Sequence, residues 1–296
     1  MKKVDCSVIV PVFNGQKYIE TFFEAINKQN YPSESFEVIF VNNNSNDNTY
    51  ECLLKKINGH ENYKVVNYKD RASSYSSRNY GVRFAKSHRI LFTDIDCIPQ
   101  PLWIRSIMEI LSKENSCLIS GGIKLFFNNT LPNVYELFDE RYFLNQNAYA
   151  KERTGATANL ATTLDVFNSV GGFKDVLSGG DRDFCRRVNE KENIKFHYAK
   201  DALVLHPARD TKKQILGKIE RVSRGKAHLN KDKDFMFRVL SKIKNFIGMF
   251  IQLKQIKEVL LLIRSNRYGV RMKVKFSLFS FYCGFYARFL IFRGDA

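Results

Sequence analysis

Two aspartates separated by one residue, Asp94 and Asp96, directly follow the apolar run Ile90–Phe92. Burying one carboxylate without a partner is costly, and two neighbouring carboxylates also repel each other. A divalent cation would stabilise the pair, because Mg²⁺ and Mn²⁺ favour oxygen ligands and are held by one or two carboxylates together with substrate phosphates. The alternative is an Asp-rich turn that caps the following helix. From these two residues alone, both interpretations stay open.

The elements that would position this pair show as strand-like runs that alternate with helical patterns. After the first run, for example, Ile19, Phe22, Phe23 and Ile26 recur at helical spacing. Such alternation predicts an α/β fold with a mostly parallel central sheet and helices on both faces. Right-handed crossovers then bring the carboxyl ends of the strands to one edge, where ligands bind in such folds. The predicted strands are Ser7–Val10, Phe36–Val41, Tyr63–Val66 and Ile90–Phe92, followed further along the chain by Cys117–Ile123 and Ile194–Ala199.

The loops at this edge carry most of the polar residues that could do chemistry. They are Pro11–Asn14, Asn42–Asp47 and Thr93–Cys97. No G-x-G-x-x-G follows the first strand and no G-x-x-x-x-G-K-[ST] occurs in the chain. The sequence therefore excludes a dinucleotide fingerprint and a P-loop.

Charge is distributed very unevenly along the chain. The net charge of the 296 residues is +17, and the segment from Thr211 to the end holds 20 Lys/Arg and 5 Asp/Glu, a net of +15. We therefore expect two domains, an α/β domain over residues 1–210 and a basic, mainly helical region over residues 211–296. The 6 cysteines form no CxxC pair, which argues against a zinc ribbon or a disulfide scaffold. Reduced thiols fit a cytoplasmic protein.

The basic region contains two apolar stretches. Phe246–Ile263 is amphipathic with lysines on its polar side, and Phe276–Phe292 is mostly apolar and aromatic but contains Arg288. The second stretch is shorter than the roughly 20 residues that a spanning helix needs. It favours a helix lying on anionic lipid at the cytoplasmic face of the membrane, although an ordinary core helix with a solvated basic face fits equally well.

A second function class rests on the same basic region. Lys and Arg alternate there with Phe and Tyr, a pattern that can bind single-stranded nucleic acid. A nucleic-acid- or membrane-binding module is therefore the alternative function. The region lacks an RRM, KH or zinc-finger signature, so nucleic acid is not the partner that we expect.

Five motifs occur in one order along the chain. They are Ser7–Asn14, Val41–Thr49, Arg78-Asn79, Asp94-Ile95-Asp96 and Gly179-Gly180-Asp181. In this order and spacing, the region from Val4 to His206 resembles the inverting, nucleotide-sugar-dependent glycosyltransferases of family 2, which have the GT-A fold. The resemblance implies transfer of a sugar from a nucleoside-diphosphate donor, foremost a UDP-sugar, to a hydroxyl of a saccharide or lipid-linked acceptor. It also implies a role in cell-surface polysaccharide or glycolipid synthesis.

The resemblance assigns the nucleotide to the first two polar loops. Pro11, Phe13 and Asn14 match the loop that holds the base, with the Phe13 ring placed to lie against it. Asn42 matches a position where the family commonly has an aspartate that contacts the base. An amide offers both a donor and an acceptor, so it can still pair with uracil, but the identity of the base is less certain.

The diphosphate and the cation are assigned to the next motifs. Arg71 and Arg78 fall where family members place basic side chains near the donor, and Arg suits phosphate. Asp94 and Asp96 match the family's D-x-D motif, in which the first contacts the ribose or the outer metal shell and the second binds Mn²⁺ or Mg²⁺. His206, which follows a strand-like run, matches a histidine that completes the metal site in several GT-A enzymes.

Asp181 matches the family's catalytic base, which deprotonates the acceptor hydroxyl. The family usually has Glu-Asp at this point, whereas this chain has Gly180 before Asp181. The alternative role for Asp181 is to cap the helix that follows. Asp183 is expected either to cap that helix or to pair with Arg186 or Arg187.

Overall fold

The computed structural model describes residues 4–70, 73–229 and 235–293, and gives the backbone alone for residues 226–229 and 235–239. The chain divides into two compact units. The first comprises Met1–Phe126, Asn145–Asp175 and Gly180–Pro207, and the second comprises Phe127–Leu144, Val176–Gly179 and Ala208–Ala296. The predicted boundary after residue 210 concerns separately folding domains and stays a prediction.

The first unit is built on one mixed sheet. Its eight strands within the described residues are β1 (Cys6–Val12), β2 (Phe36–Asn42), β3 (Tyr63–Asn67), β4 (Arg89–Thr93), β5 (Ile98–Pro99), β6 (Cys117–Phe126), β7 (Asn159–Thr163) and β8 (Lys195–Pro207). Their spatial order is β3-β2-β1-β4-β7-β6-β8-β5. The strands β3, β2, β1 and β4 are parallel as predicted, and β6 is parallel to β8. The other neighbours, β4 with β7, β7 with β6 and β8 with β5, are antiparallel.

Helices complete the description. They are α1 (Gln16–Asn27), α2 (Thr49–Ile57), α3 (Ser74–Val82), α4 (Trp103–Leu111), α5 (Val134–Tyr142), α6 (Gln146–Lys151), α7 (Leu164–Ser169), α8 (Gly180–Asn189), α9 (Lys212–Leu229), α10 (Phe235–Phe250), α11 (Leu253–Arg264) and α12 (Val270–Arg293), with a short 3₁₀ turn at Ser33–Ser35. The predicted stretch from residue 246 to 263 is thus two helices, α10 and α11, separated by Ile251 and Gln252.

Both faces of the sheet in the first unit are covered by helices. Val8 and Val10 of β1 join the core that contains the apolar faces of α1 and α4. Ile9 points to the other face, where α3 approaches so closely that a Cβ on Gly81 would lie 2.7 Å from Ile9 and from Val41. Side chains buried on both faces are typical of parallel sheets whose crossovers are helices.

An aromatic cluster joins α8 to the sheet of the first unit. The ring of Phe173 contacts three other phenylalanine rings. These are Phe92 of β4, Phe167 of α7 and Phe184 of α8, and the centroids of Phe173 and Phe184 lie 4.6 Å apart. Such ring pairs stabilise beyond the area that they bury. The cluster therefore fixes the helix whose first turn carries Asp181.

The second unit is helical and consists of α5 and α9–α12 within the described residues. Its core is formed by one face of each of four helices. A hydrogen bond joins two of them, since the Tyr142 hydroxyl of α5 lies 2.6 Å from Ser280 Oγ of α12. The core residues are Leu137 and Phe138 of α5, Ile215 and Ile219 of α9, Val259 and Leu262 of α11, Tyr268, and Phe276 and Cys283 of α12.

The helix α12 is both long and apolar. By these two properties alone it could cross a membrane, with a mean hydropathy of 1.2 and 22% of its most apolar window buried. One such helix is weak evidence of a span, because core helices of other proteins pass the same test.

Candidate active site

The carboxyl ends of three parallel strands bring polar side chains together. In the sheet register Val12 lies beside Asn42, and Asn42 lies beside Asn67. Asn42 is buried, donates from Nδ2 to Asn67 Oδ1 (2.8 Å), and accepts from the backbone N–H of Ser45 (3.3 Å). A cavity of about 230 Å³ lies here, lined in part by Asn42, Asn67 and Tyr68. Sequence analysis missed Asn67 and Tyr68, although their place at the end of a predicted strand is the signal that could have found them.

The loop after β1 is hydrogen-bonded to the loop after β2. The Asn14 N–H donates to Ser45 Oγ (3.0 Å), and the Asn46 N–H donates to Asn14 Oδ1 (3.0 Å). Asn14 has a φ of 48°, in the left-handed region that asparagine tolerates better than most residues. Pro11 is buried within β1, whereas the Phe13 ring is 47% exposed. The Phe13 ring is therefore accessible to a ligand at this edge.

The two aspartates after β4 meet His206, which lies far away along the chain. The reason is that β5 begins two residues after Asp96 and pairs with β8 in the register Ile98 to Leu205. His206 Nε2 lies 3.8 Å from Asp96 Oδ2. One ligand atom from each of Asp94, Asp96, Cys97 and His206 lies within 4.8 Å of the others.

The donor atoms of this group fit a divalent cation. His206 is buried, and its Nδ1 lies 2.8 Å from the carbonyl oxygen of Pro207. A proton on Nδ1 satisfies that carbonyl and leaves the lone pair of Nε2 directed toward Asp96. Burial raises the pKa of the Cys97 thiol well above its usual value, and its Sγ lies 3.8 Å from the Ala158 carbonyl oxygen. The remaining set of carboxylate oxygens and one imidazole nitrogen suits Mn²⁺ or Mg²⁺.

The helix α3 brings an arginine to the same place. Ser73 caps this helix by accepting from the Ser76 N–H (3.3 Å). Arg78 is only 2% exposed and donates from Nη2 to Asp94 Oδ1. Its Nε and Nη1 are also buried, and neither has a hydrogen-bond partner among the described residues. Since buried donors are almost always satisfied, this guanidinium is suited to an anionic ligand.

Asn79, the next residue of α3, stabilises the fold, and its amide group bonds to Phe173 rather than to Asp94. Asn79 Nδ2 donates to the Phe173 carbonyl (2.7 Å), and the Phe173 N–H donates to Asn79 Oδ1 (3.0 Å). These paired bonds fix the chain that leads toward α8. In the Arg78-Asn79 motif, Arg78 therefore lies in the candidate site, whereas Asn79 holds the backbone at Phe173.

Tyr75 links the helix α3 to Asp181. A Cβ on Gly180 would lie 2.8 Å from the Tyr75 ring, so the ring fills the space that a side chain at position 180 would need. Burial raises the pKa of Tyr75, and the negative charge of Asp181 raises it further, opposed by Arg78. The hydroxyl is thus neutral, and half-buried Asp181 lies near enough for its charge to act on it. Sequence analysis missed Tyr75, and its signal was its position three residues before Arg78 on one helix face.

Asp183, two residues further, is held by cations. It accepts from Arg187 Nε (2.7 Å) and from Arg186 Nη2 (3.2 Å), and Lys174 Nζ lies 3.7 Å away. Burial raises the pKa of Asp183, but the hydrogen bond and the charge of Arg187 lower it by more. The pKa therefore lies below its usual value. Asp183 therefore anchors α8.

The predicted site residues of the first unit are thus connected through α3. Its Arg78 contacts Asp94, the Tyr75 ring centroid lies 5.7 Å from the Arg78 guanidinium carbon, and Tyr75 reaches Asp181. Arg71, which sequence analysis placed near the donor, lies outside the described residues.

Comparison with known proteins gives consistent matches. Residues 7–173 match the family described as Glycosyl transferase family 2. The glycosyltransferase AglE of Haloferax volcanii is 28% identical over 222 residues, which are 74% of this chain and 72% of that protein. The poly(ribitol-phosphate) β-N-acetylglucosaminyltransferase TarS of Staphylococcus aureus is 33% identical over 91 residues, 30% of this chain and only 16% of TarS.

Solved structures share the fold at lower identity. The mannosyltransferase PcManGT of Pyrobaculum calidifontis, in complex with GDP-Man and Mn²⁺, superimposes with a TM-score of 0.60 at 18% identity, over 79% of this chain and 66% of that one. Residues 1–349 of TarS, in complex with UDP-GlcNAc, give a TM-score of 0.57 at 17% identity, over 95% of this chain and 81% of that one. These likenesses show the GT-A fold. Because the family match covers more than half of the sequence, this chain belongs to glycosyltransferase family 2.

Proposed function

We propose that this protein transfers a sugar from a nucleoside-diphosphate donor, a UDP-sugar, to an acceptor hydroxyl with inversion of the anomeric carbon. The observation that carries the proposal is the approach of His206 Nε2 to Asp96 Oδ2 (3.8 Å), beside Asp94 and buried Arg78. This arrangement would suit a diphosphate bound together with a divalent cation. Asp181, connected to it through Tyr75, supplies a separate carboxylate for the acceptor.

At the donor end, Asp96 and His206 would hold Mn²⁺ or Mg²⁺, with Asp94 on the ribose side or in the outer shell. A bound cation supplies positive charge on the diphosphate oxygens, where negative charge develops as the glycosidic bond breaks. Arg78 adds a fixed positive charge, and its two unpartnered nitrogens can donate to a phosphate oxygen.

At the acceptor end, Asp181 accepts the proton of the attacking hydroxyl. The hydroxyl oxygen then forms a bond to the anomeric carbon while the bond from that carbon to the diphosphate oxygen breaks. Attack from the face opposite the leaving group inverts the anomeric centre. The Tyr75 hydroxyl, which is neutral and near Asp181, does not itself remove the proton.

The base would bind in the cavity beside Asn42, with the exposed Phe13 ring against its face. The Asn42 carbonyl oxygen accepts from Ser45 and its amide group donates to Asn67. One further hydrogen of the Asn42 amide group is available to donate, which suits a carbonyl oxygen of uracil. Pro11 and Asn14 shape this loop, and Arg71 is proposed to act near the donor.

The biological setting is proposed from the relatives. TarS is named for transfer of N-acetylglucosamine to poly(ribitol phosphate), and another match is a minor teichoic acid biosynthesis protein of Bacillus subtilis. We infer a saccharide or lipid-linked acceptor in cell-surface polysaccharide or glycolipid synthesis. Activity of the whole protein is part of the proposal, because the chain spans a small part of several of these relatives.

The test is transfer or donor hydrolysis with a panel of UDP- and GDP-sugars, each with Mn²⁺, with Mg²⁺ and with a chelator. We expect turnover with a UDP-sugar that the chelator abolishes, and a product of inverted anomeric configuration by NMR. Asp181→Asn should bind the donor as the wild type does but lose turnover by at least about a hundredfold. Asp165→Asn, a change at an 82% exposed carboxylate, is the matched control. Wild-type turnover by Asp181→Asn would show that the assigned base is wrong.

A further inference from the structure

The last three helices of the second unit expose apolar side chains along one face each. On α10 these are Leu240, Ile243, Ile247 and Phe250, at helical spacing i, i+3, i+7 and i+10. The opposite side of α10 is the packed one, where Met249 is buried and Gly248 approaches Arg288 of α12. The exposed side is therefore a second apolar face, distinct from the one that forms the core.

The helices α11 and α12 repeat this two-faced pattern. On α11, Val259 and Leu262 enter the core, while Leu253, Ile256, Leu260 and Ile263 are exposed at the same i, i+3, i+7, i+10 spacing. On α12, Phe276 and Cys283 enter the core. Its exposed apolar side chains are Val270, Val274, Leu278, Phe285 and Phe292, and the last four follow Val270 by about one, two, four and six turns.

The exposed faces of α10 and α12 are continuous. The ring of Phe246 contacts Phe292 with centroids 5.4 Å apart, and Phe246 also contacts Phe250 at 5.6 Å. Phe250 is 73% exposed and Leu253, at the start of α11, is 70% exposed. We call the exposed apolar side chains of α10, α11 and α12 the C-terminal apolar surface. Contiguous exposed apolar patches, such as the one that α10 and α12 form, mark interaction sites.

Basic side chains flank the C-terminal apolar surface. Lys242 and Lys244 of α10 are exposed on either side of its apolar face, and Lys257 and Arg264 of α11 lie at the border of its own face. Lysine stems can lie along apolar surface while the ammonium group reaches polar surroundings. This combination of apolar face and basic border matches helices that lie in the interface of anionic membranes.

The described acidic residues of the helical segment from 211 to 293 are engaged elsewhere. Glu220 accepts from the Tyr286 hydroxyl (2.7 Å), and Glu258 pairs with Arg141 (3.2 Å). The charged side chains that we find at the border of the C-terminal apolar surface on α10 and α11 are thus basic.

We propose that the C-terminal apolar surface binds the surface of an anionic lipid bilayer. Charge complementarity favours this occupant, since the segment from Thr211 onward has a net charge of +15. A second copy of the chain is disfavoured by the same charge, because a symmetric contact would bring two basic borders together. The proposal is independent of the transferase reaction.

The helix α12 lies on the bilayer and does not cross it. Its other face holds the core of the second unit through Phe276 and Cys283, and Ser280 and Tyr286 hydrogen-bond to Tyr142 and Glu220. Crossing would remove these groups from their partners and place Arg288 within the hydrocarbon. The length and apolarity of α12 are explained by its packing on one side and lipid contact on the other.

The test is flotation of the full chain with vesicles of phosphatidylcholine alone and with 30% phosphatidylglycerol. We expect binding to the anionic vesicles that weakens at least about tenfold as salt rises from about 50 to 500 mM. The variant Phe250→Ser/Leu253→Ser removes apolar contact and Lys242→Gln/Lys244→Gln removes charge. Each should reduce binding to anionic vesicles several-fold while the helical circular dichroism signal stays unchanged.

The matched control carries equivalent changes in the first unit. Leu54→Ser removes an exposed leucine of α2, and Lys28→Gln/Lys113→Gln removes two exposed charges. These variants should bind as the wild type does. Equal loss in the control, binding that ignores lipid charge, or a dimer that dissociates in Phe250→Ser/Leu253→Ser would each overturn the proposal.

Discussion

The Tyr75 ring occupies the space that any side chain at position 180 would need, because a Cβ on Gly180 would lie 2.8 Å from that ring. This contact leaves no room at position 180 for the glutamate of the Glu-Asp pair that the family usually carries, so the chain keeps only the aspartate, Asp181. A tyrosine on α3 takes the place of the missing side chain and brings a hydroxyl to Asp181. Tyr75 and Gly180 therefore pack directly against each other, even though they lie far apart in sequence.

The first prediction concerns the contact between Tyr75 and Gly180. Gly180→Ala should lower the free energy of unfolding by about 1–3 kcal/mol, since the added methyl group overpacks against the Tyr75 ring. Adding Tyr75→Ala should make the penalty of Gly180→Ala disappear, so the two changes should be non-additive in a double-mutant cycle measured by urea unfolding. Gly217→Ala is the control, because its Cβ would come no nearer than 3.7 Å to the flexible end of Arg221. Additive effects of the two changes would contradict the contact.

The second prediction separates positioning by Tyr75 from support of the fold. The raised pKa keeps its hydroxyl neutral and able to donate throughout the assay range. Tyr75→Phe removes the donor, and hydrogen bonds to charged groups contribute about 1.5–3 kcal/mol. We expect kcat to fall about tenfold with little change in donor KM.

The control for Tyr75→Phe is Tyr63→Phe, which removes a hydroxyl that donates to Asn27 Oδ1 (2.6 Å) outside the site. It should change neither kcat nor the donor KM. If Tyr75→Phe lowers stability but leaves kcat in place, its role is structural only.

Much of this architecture could be predicted from the sequence. β-branched runs and helical spacing gave β1–β4, and the polar residues directly after these strands gave the positions of Asn42, Asp94 and Asp96. The antiparallel strand β7 was not predicted. Its residues, Asn-Leu-Ala-Thr-Thr, have no alternating pattern because all five are buried.

What the sequence could not give is the set of long-range neighbours. The approach of His206 to Asp96 depends on β5, a strand of two residues whose pairing has no local signal. The contact of Tyr75 with Asp181 depends on the aromatic cluster that fixes α8 and on the paired bonds of Asn79. Such contacts arise from tertiary packing, which local propensity does not encode.

The third prediction concerns the cation. Loss of an imidazole ligand should weaken Mn²⁺ binding by at least about tenfold, the lower range seen when even outer-shell partners are removed. We therefore expect His206→Ala to lower Mn²⁺ affinity, measured by titration followed by EPR of free Mn²⁺, and Asp96→Ala to lower it further. His197→Ala is the control, since His197 pairs with Glu114 (2.7 Å) away from this group. Unchanged Mn²⁺ affinity in both site variants would contradict the proposed ligands.

The fourth prediction concerns stability and pH. Asp183 has a lowered pKa, because its hydrogen bond to Arg187 and the charges of Arg187 and Lys174 outweigh the effect of burial. A carboxyl whose pKa is lower in the folded than in the unfolded state stabilises above the unfolded value, 3.8 here, and this stabilisation is lost as pH falls through the folded value.

Asp183→Asn should therefore lower the free energy of unfolding at pH 7 by about 3 kcal/mol, since it leaves Arg187 without its anionic partner. The difference from the wild type should shrink once the pH falls below about 4, where Asp183 loses its charge in the unfolded chain and then in the folded one. Urea unfolding at pH 7 and at pH 3 measures both values. Asp165→Asn, at an exposed carboxylate, should differ from the wild type by less than about 0.5 kcal/mol at either pH. A difference for Asp183→Asn that is the same at both pH values would mean that its packing, and not its charge, stabilises α8.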